Sequence, residues 1–466
     1  MKNMTISNIT KACEGKFVGD EAFLDKEIQG AVTDSRQVKD GYLFIPIKGE
    51  RVDGHDFIPA VFDQGALVVL SEKELDNPDG PYILVQSSQQ AMKDIAAFYR
   101  ESLDIPVVGV IGSVGKTSTK EMIASVLSEK FDVLKTDGNF NNEIGLPLTL
   151  FRIRENHQVA VVEMGISDFG EMHRLGAMAK PDIAVITNIG CCHLENLIDR
   201  DGILRAKTEV FEHMPAGAVA VLNGDDDKLS TKTSVGSNPS VFYGIENSSS
   251  FDDGKRTIEK SIYAKNVVNL GFEGMKATFV TPEGAFEAEI SIPGEHNIYN
   301  ALAATAVGLK LGLSITDIKS GIEKARTIAG RTNFIKVNGM TVIDDCYNAN
   351  PVSMKTSVEV LSHAAGRAIA VLGDMGELGE DEAALHYEVG EAVGKYKIPV
   401  LFAAGKLARN YANAAKTVNP DCEIYYFEDR QAMTEALTGF VKEGDSVLVK
   451  ASHFMEFPKV VEALSK

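Results

Sequence analysis

Apolar and polar positions along this chain alternate with the two periods of regular structure. Short apolar runs at 106–111, 158–163, 182–187 and 218–222 predict buried strands. Between them the spacing becomes helical, at 116–130, 170–179 and 202–213. Strand–helix alternation of this kind predicts a mostly parallel sheet covered on both faces. Residues 224–260 are polar, rich in Ser, Asp and Asn, and read as a surface excursion. Runs at 276–281 and 285–291 flank Pro282-Glu283-Gly284 as a hairpin, followed by helices at 297–312 and 314–325. Asn338-Gly339, between 333–337 and 340–345, is a strong two-residue hairpin signal. Strands at 367–373, 398–403, 423–427 and 446–450 then alternate with helices as a second doubly wound unit, without the G-x-G-x-x-G of a dinucleotide site. The first hundred residues mix short strands with turns and lead out through a helix from about Gln89 to Ser102.

The expected fold class is α/β with three domains. A mixed α/β N-terminal domain spans 1–103 and a central P-loop ATPase-like, mostly parallel sheet spans 104–328. A C-terminal Rossmann-like doubly wound domain spans 329–466. A length of 466 residues fits several cores better than one. The formal net charge of −19 argues against nucleic acid or an anionic membrane as partner, so an anionic substrate needs a local cluster of donors. The N-terminus lacks the apolar run of a signal peptide, and no stretch reads as membrane-inserting. Five cysteines show no C-x-x-C pair, and the adjacent Cys191-Cys192 is poorly placed for a bridge, which fits a reducing, cytoplasmic setting.

Candidate chemistry centres on Gly109-Val-Ile-Gly-Ser-Val-Gly-Lys-Thr-Ser-Thr-Lys120, directly after an apolar run. Position 110 is valine, so the longer G-x-x-x-x-G-K-[ST] pattern is incomplete, but the core Gly112-Ser113-Val114-Gly115-Lys116-Thr117 survives between strand and helix. Such a loop cradles phosphates with backbone N–H groups and the helix N-terminus; Lys116 neutralises charge and Thr117 can hold Mg²⁺. ATP is the expected ligand, against the plainer reading of a tight turn. Glu163 ends one strand, where a carboxylate is well placed for Mg²⁺, and His193 follows another at an equivalent height. The loop Asn139–Gly145 offers polar groups, Asn141 among them, to phosphate or Mg²⁺, or is a plain Asn-rich turn. On its own residues Lys207 reads as a solvated helix lysine, and Asn297 and Asn300 as helix-start residues. The cluster Asp344-Asp345-Cys346-Tyr347-Asn348-Ala349-Asn350-Pro351 is richer than a cap needs and favours function.

Together these segments resemble the Mur ligase superfamily, ATP-dependent amide ligases of peptidoglycan assembly. Asp34-Ser35-Arg36 through Phe57, Gly112–Met122 with Gly138–Pro147, Glu163-Met-Gly with His193-Leu-Glu, and Gly294–Ala304 with Gly330-Arg331 carry the likeness. The Tyr-Asn-Ala-Asn-Pro run at 347–351 and Leu372–Gly379 point to the dipeptide-adding branch. The resemblance implies UDP-N-acetylmuramoyl-tripeptide and D-alanyl-D-alanine as substrates, ATP and Mg²⁺ as cofactors, and a monomer. It implies that Gly112, Ser113, Gly115, Lys116, Thr117 and Ser118 hold phosphates, and that Thr117, Glu163 and His193 complete the metal sites. Lys207 matches a lysine carbamylated by CO₂, Asn297 and Asn300 contact adenine, Arg331 a phosphate and Asp345 the ribose. Ser35, Arg36, Asn141, Tyr347 and Asn348 are the implied substrate contacts, and Lys116, His193, Lys207 and Arg331 the catalytic set. One departure stands out: Lys450-Ala451-Ser452-His453 replaces Lys-Gly-Ser-Arg, and histidine is no equivalent of a bidentate arginine. That leaves two rival ligases, a paralogue with another amine acceptor and a folylpolyglutamate synthase-like enzyme. A protein that hydrolyses ATP without ligating is the rival from another class.

Overall fold

The computed structural model describes residues 1–251 and 254–466. Three large sheets carry the fold. A five-stranded sheet at the N-terminus is parallel except for its Lys16–Val18 edge strand. The central sheet has nine strands, in the order 284–290, 275–281, 262–269, 241–245, 219–223, 183–186, 107–111, 159–163, 133–135. From 262–269 to 133–135 all pairings are parallel, and the hairpin 275–281/284–290 adds an antiparallel edge. The C-terminal sheet has six strands, parallel except for Asn333–Val337.

Strands Val107–Ile111, Val159–Glu163 and Ile183–Ile186 are buried at every position, which explains their unbroken apolar runs. Alternate residues serve opposite faces. Val108, Val110, Val161 and Val185 pack with Met122, Ile123, Val126, Ile298 and Leu302 of helices Lys116–Leu127 and His296–Lys310. Val107, Ile111, Ala160 and Val162 pack with Leu146, Leu150, Met172 and Leu175. That second cluster runs on through Met92, Ile95 and Tyr99 of helix Ser88–Glu101 into Met4, Leu43 and Leu70 of the N-terminal sheet. The same helix is tied to the central unit by Tyr99 Oη donating to Ile153 O (2.7 Å) and by the Arg100–Asp182 ion pair (2.9 Å).

Turn chemistry sets the element ends. Asn338 and Gly339 both have positive φ, as the two-residue hairpin requires. Capping boxes at Ser314/Asp317 and Asn350/Ser353 start helices Ile315–Lys324 and Pro351–Ser362.

Two expectations need correction. The stretch 224–260 is not only a surface excursion: Val241–Ile245 is a strand inside the central sheet, with Phe242 and Tyr243 buried. Lys260 is anchored on Asp225, and Tyr299 Oη donates to Asp225 as well (3.1 Å). Polar composition hid the strand because its five residues lie between two small hairpins, 234–239 and 248–259; residues 252 and 253 lie outside the described residues. The helix expected over 202–213 is an α-helix only over Arg200–Thr208 and tightens to a 3₁₀ turn over Glu209–His213.

Candidate active site

Strand 107–111 lies between 159–163 and 183–186, and the chain reaches these neighbours in opposite directions. Ligand crevices of open α/β sheets form at such a switch point, beyond the strand carboxyl ends. The Gly112–Thr117 loop occupies that place. A Cβ on Gly112 would fall 1.9 Å from Thr187 Oγ1, so only glycine lets the loop pass. The loop is stitched to the neighbouring strand end from behind. Ser113 N donates to Asn188 O (3.1 Å), Val114 N to Asn188 Oδ1 (3.1 Å), and Thr187 Oγ1 to Val114 O (2.7 Å). Gly115, with φ +79°, precedes helix Lys116–Leu127 without a side-chain cap, leaving that N-terminus for an anion. Lys116 Nζ folds back to donate to Gly112 O (2.9 Å).

Glu163 is buried at the adjacent strand end. Its Oε1 accepts from Asn141 Nδ2 (2.7 Å), while Oε2 is buried without a hydrogen-bond partner and lies 4.0 Å from Lys120 Nζ. An orphaned carboxylate oxygen near the Thr117 hydroxyl's helix and loop is the donor chemistry a hard divalent cation takes, so these residues fit Mg²⁺. His193 has φ +50° and its Nδ1 meets Glu377 Oε2 of the C-terminal unit at 2.8 Å, leaving Nε2 as the free ring nitrogen. Burial holds its imidazole below the ordinary histidine range, against the pull of Glu377.

Lys207 is not solvated. It is 1% exposed, forms no salt bridge among the described residues, and burial pushes its ammonium down to about 8, with Lys116 adding to the effect. Its helical spacing is that of a solvated lysine, and nothing local in the sequence marks the burial. A lysine with its ammonium destabilised gives up its proton more readily than an exposed one, and the freed amine can attack CO₂, so the residue fits a carbamate.

Below the loop a cleft is lined by Ser118, Met122, Ile292, His296, Asn297 and Arg331, among others. Asn297 and Asn300 are buried and already bonded within the protein. Asn297 Nδ2 donates to Pro293 O (2.8 Å), Asn300 Nδ2 to Asn297 Oδ1 (2.9 Å), and Thr119 Oγ1 to Asn300 Oδ1 (2.7 Å). Asn300 therefore staples the phosphate-loop helix to its neighbour, and Asn297 alone of the pair borders the cleft. His296 is half-buried, its Nδ1 is buried with no partner, and desolvation pushes its imidazole down to about 4. Arg331 reaches over from the C-terminal side: Nη2 lies 3.4 Å from Thr117 Oγ1, Nε is buried without an acceptor, and the guanidinium stacks 3.9 Å from the Tyr347 ring centre.

Asp345, expected at a ribose, spends its carboxylate inside the fold. Oδ2 accepts from Lys450 Nζ (2.6 Å) and Ser357 Oγ (2.6 Å), and Oδ1 from Thr332 N (3.0 Å). Asn348 O accepts from the same Lys450 (3.1 Å), so this cluster locks two strand ends of the C-terminal sheet. Asn348 itself is exposed, and His453 is exposed with its ring 6.5 Å from that of Tyr347. Ser35 and Arg36 form a turn on the N-terminal sheet, and the largely exposed Arg36 is bidentate to Asp34 (2.9 and 2.7 Å). Neither touches the cradle. Lys120 was missed: Nζ is buried, donates to Thr136 O (2.6 Å) and faces Glu163, one helical turn past Lys116. Glu377 was missed as well, although it lies in the Leu372–Gly379 segment that marked the branch.

Comparison with known proteins bears on this arrangement. Family models match residues 27–100 (Mur ligase family, catalytic domain), 110–308 (Mur ligase middle domain) and 330–453 (Mur ligase, glutamate ligase domain). The UDP-N-acetylmuramoyl-tripeptide–D-alanyl-D-alanine ligase of Bacillus subtilis is 34% identical over 100% of this chain and 99% of its own length. The crystal structure of MurF from Acinetobacter baumannii superposes with a TM-score of 0.86 at 30% identity, covering 99% of this chain and 98% of that one. MurF ligase from Thermotoga maritima, solved in complex with ADP, gives 0.79 at 30% identity over 94% and 97%. With its three sheets, its phosphate loop and this full-length likeness, the chain belongs to the Mur ligase family.

Proposed function

We propose that the chain is an ATP-dependent ligase that joins D-alanyl-D-alanine to UDP-N-acetylmuramoyl-tripeptide, forming a C–N bond and ADP in peptidoglycan precursor synthesis. The observation that carries this reading is the end-to-end identity with the Bacillus subtilis ligase of that name. In it, residues 1–103 bind the nucleotide sugar, with Ser35 and Arg36 as contacts, 104–328 bind ATP, and 329–466 bind the dipeptide. The same reading takes the enzyme as a monomer in the cytoplasm, where a reducing setting suits its five free cysteines.

The terminal carboxylate of the tripeptide attacks the γ-phosphorus of ATP, and ADP leaves. The dipeptide amine then attacks the acyl carbon of the acyl phosphate, loses a proton, and phosphate is expelled. Two anions must approach in the first step, so neutralising charge and positioning are the main tasks. Lys116, the loop N–H groups of Gly112–Ser118 and the unsatisfied Arg331 Nε are the donors that meet the phosphates. Thr117, Glu163 and His193 would hold Mg²⁺, which when bound would supply positive charge to the phosphate oxygens. Asn141 orients Glu163, Tyr347 orients Arg331, and Lys207, as a carbamate, adds negative charge to the metal side. Asn297 at the cleft serves the adenine. The Asp345 carboxylate holds the start of the Tyr347–Asn348 loop through Oδ2, on Lys450 and Ser357, and offers its remaining Oδ1 lone pair to the ribose.

Phosphate release from ATP and Mg²⁺ with UDP-N-acetylmuramoyl-tripeptide tests the reading, comparing D-alanyl-D-alanine, single amino acids and no amine. Release with a pentapeptide product only in the presence of the dipeptide is the expected result. Release with another amine makes His453 the mark of a changed acceptor, and release without any amine removes the ligase reading.

A further inference from the structure

The 3₁₀ turn that follows the Lys207 helix holds a second group of ligand-type side chains on the outside of the central unit. His173 comes from helix Glu171–Ala179, and Glu212 and His213 from the turn Glu209–His213. His173 Nδ1 lies 3.0 Å from Glu212 Oε2 and 3.0 Å from His213 Nε2. The three ligand atoms all fall within 4.8 Å of one another. One proton on His173 Nδ1 can serve both neighbours only as a shared, three-centre hydrogen bond, and without that proton the Nδ1 lone pair faces the carboxylate. A cation accepted by three lone pairs satisfies all of them together.

The group is also held in place before any ligand arrives. The Glu209 carboxylate accepts from Gly170 N and His173 N (each 3.1 Å), tying the start of the helix to the turn. Gly176 allows the close approach, since a Cβ there would lie 3.1 Å from His213 Cδ2. The two imidazoles cross edge-on, with centroids 4.3 Å apart at 74°. His173 and Glu212 are about half to two-thirds exposed, which leaves an open side for water.

We propose that His173, Glu212 and His213 form a binding site for one divalent cation of the Zn²⁺ class, with water completing the shell. Two imidazole nitrogens and one carboxylate oxygen suit Zn²⁺ and its borderline neighbours, and nitrogen donors disfavour Mg²⁺ and Ca²⁺. Tetrahedral zinc with bonds of about 2.0–2.2 Å sets its ligand atoms about 3.3–3.5 Å apart. The two edges at His173 Nδ1, 3.0 Å each, need to open by a few tenths of an ångström, and the third edge lies within 4.8 Å.

The test uses the full chain, stripped of metal and titrated with Zn²⁺ against a chromophoric chelator, with millimolar Mg²⁺ present to fill oxygen sites. The wild type is expected to hold one more Zn²⁺ than the H173Q/H213Q double variant, and E212Q to bind it at least tenfold more weakly. Zn²⁺ should raise the melting midpoint of the wild type and leave that of the double variant unmoved. Equal stoichiometry, or equal rises in midpoint, overturns the site. Should the double variant fail to fold, the ¹⁵N-histidine spectrum of the wild type decides. Displacement of the ring nitrogens of two of the nine histidines by Zn²⁺ supports the site, and no displacement refutes it.

Discussion

Taking an ammonium out of water without a carboxylate partner costs several kcal/mol, and Lys207 is such a group. A fold keeps that cost where the amine has work to do. Lys207→Ala is expected to lower ligation by about 100-fold or more, comparable to losing a strong electrostatic contact. Short carboxylic acids should restore part of the rate, and complete failure of rescue would count against the carbamate. His296 carries a second, opposite lesson in pH. Its native pKa of about 4 lies below the unfolded value of 6.5. As pH falls below 6.5 the unfolded chain gains a proton that the native site refuses, so this residue removes stability between 6.5 and 4 and adds no further loss below. Urea midpoints of wild type and His296→Asn should therefore diverge as pH drops through that window, with the variant less acid-sensitive. Neither property was legible in the sequence. Burial of a single charged residue depends on what packs over it, and the chain around Lys207 offers the same helical spacing as a solvated lysine.

At the scale of elements, most of the fold was legible because parallel strands are buried on both faces and announce themselves as apolar runs. Val241–Ile245 escaped: it is a short strand in polar surroundings, and its pairing partners lie at 219–223 and 262–269. The phosphate loop was legible from its glycines, whereas the Thr119–Asn300 staple was not, since its partners are 181 residues apart. Helix Ile315–Lys324 packs against the loop helix through Gly321, where a Cβ would stand 2.3 Å from Val126 Cα. Gly321→Ala gains about 1 kcal/mol of helix propensity. It meets an overpacking cost of about 1–3 kcal/mol against backbone that cannot rotate away. The clash should win, lowering the melting midpoint and raising KM for ATP as the Lys116–Leu127 helix shifts. An unchanged KM would separate the two helices functionally.

On the scale of the whole molecule, contacts between the central and C-terminal units include Arg331 on Thr117, Asn269 on His363, the Phe272–Phe334 edge contact and the His193–Glu377 pair. The Glu377 side chain is 65% exposed, so the pair contributes at most about 1 kcal/mol. That is small for stability, yet it shifts an open–closed equilibrium about fivefold. Glu377→Gln is expected to leave the melting midpoint within a degree or two while enlarging the radius of gyration in X-ray scattering without nucleotide. A fall in midpoint with no change in size would make the pair a stability element.

The span between Thr117 and Arg331 has a consequence in time. They are 214 residues apart, so at about 5–20 residues per second the ribosome delivers the arginine roughly 10–40 s after the phosphate loop. During that interval Thr187, Asn188 and Asn300, which stitch the loop and its helix in place, are made ahead of the closing cation. The closing cation is thus made after every residue that stitches the loop.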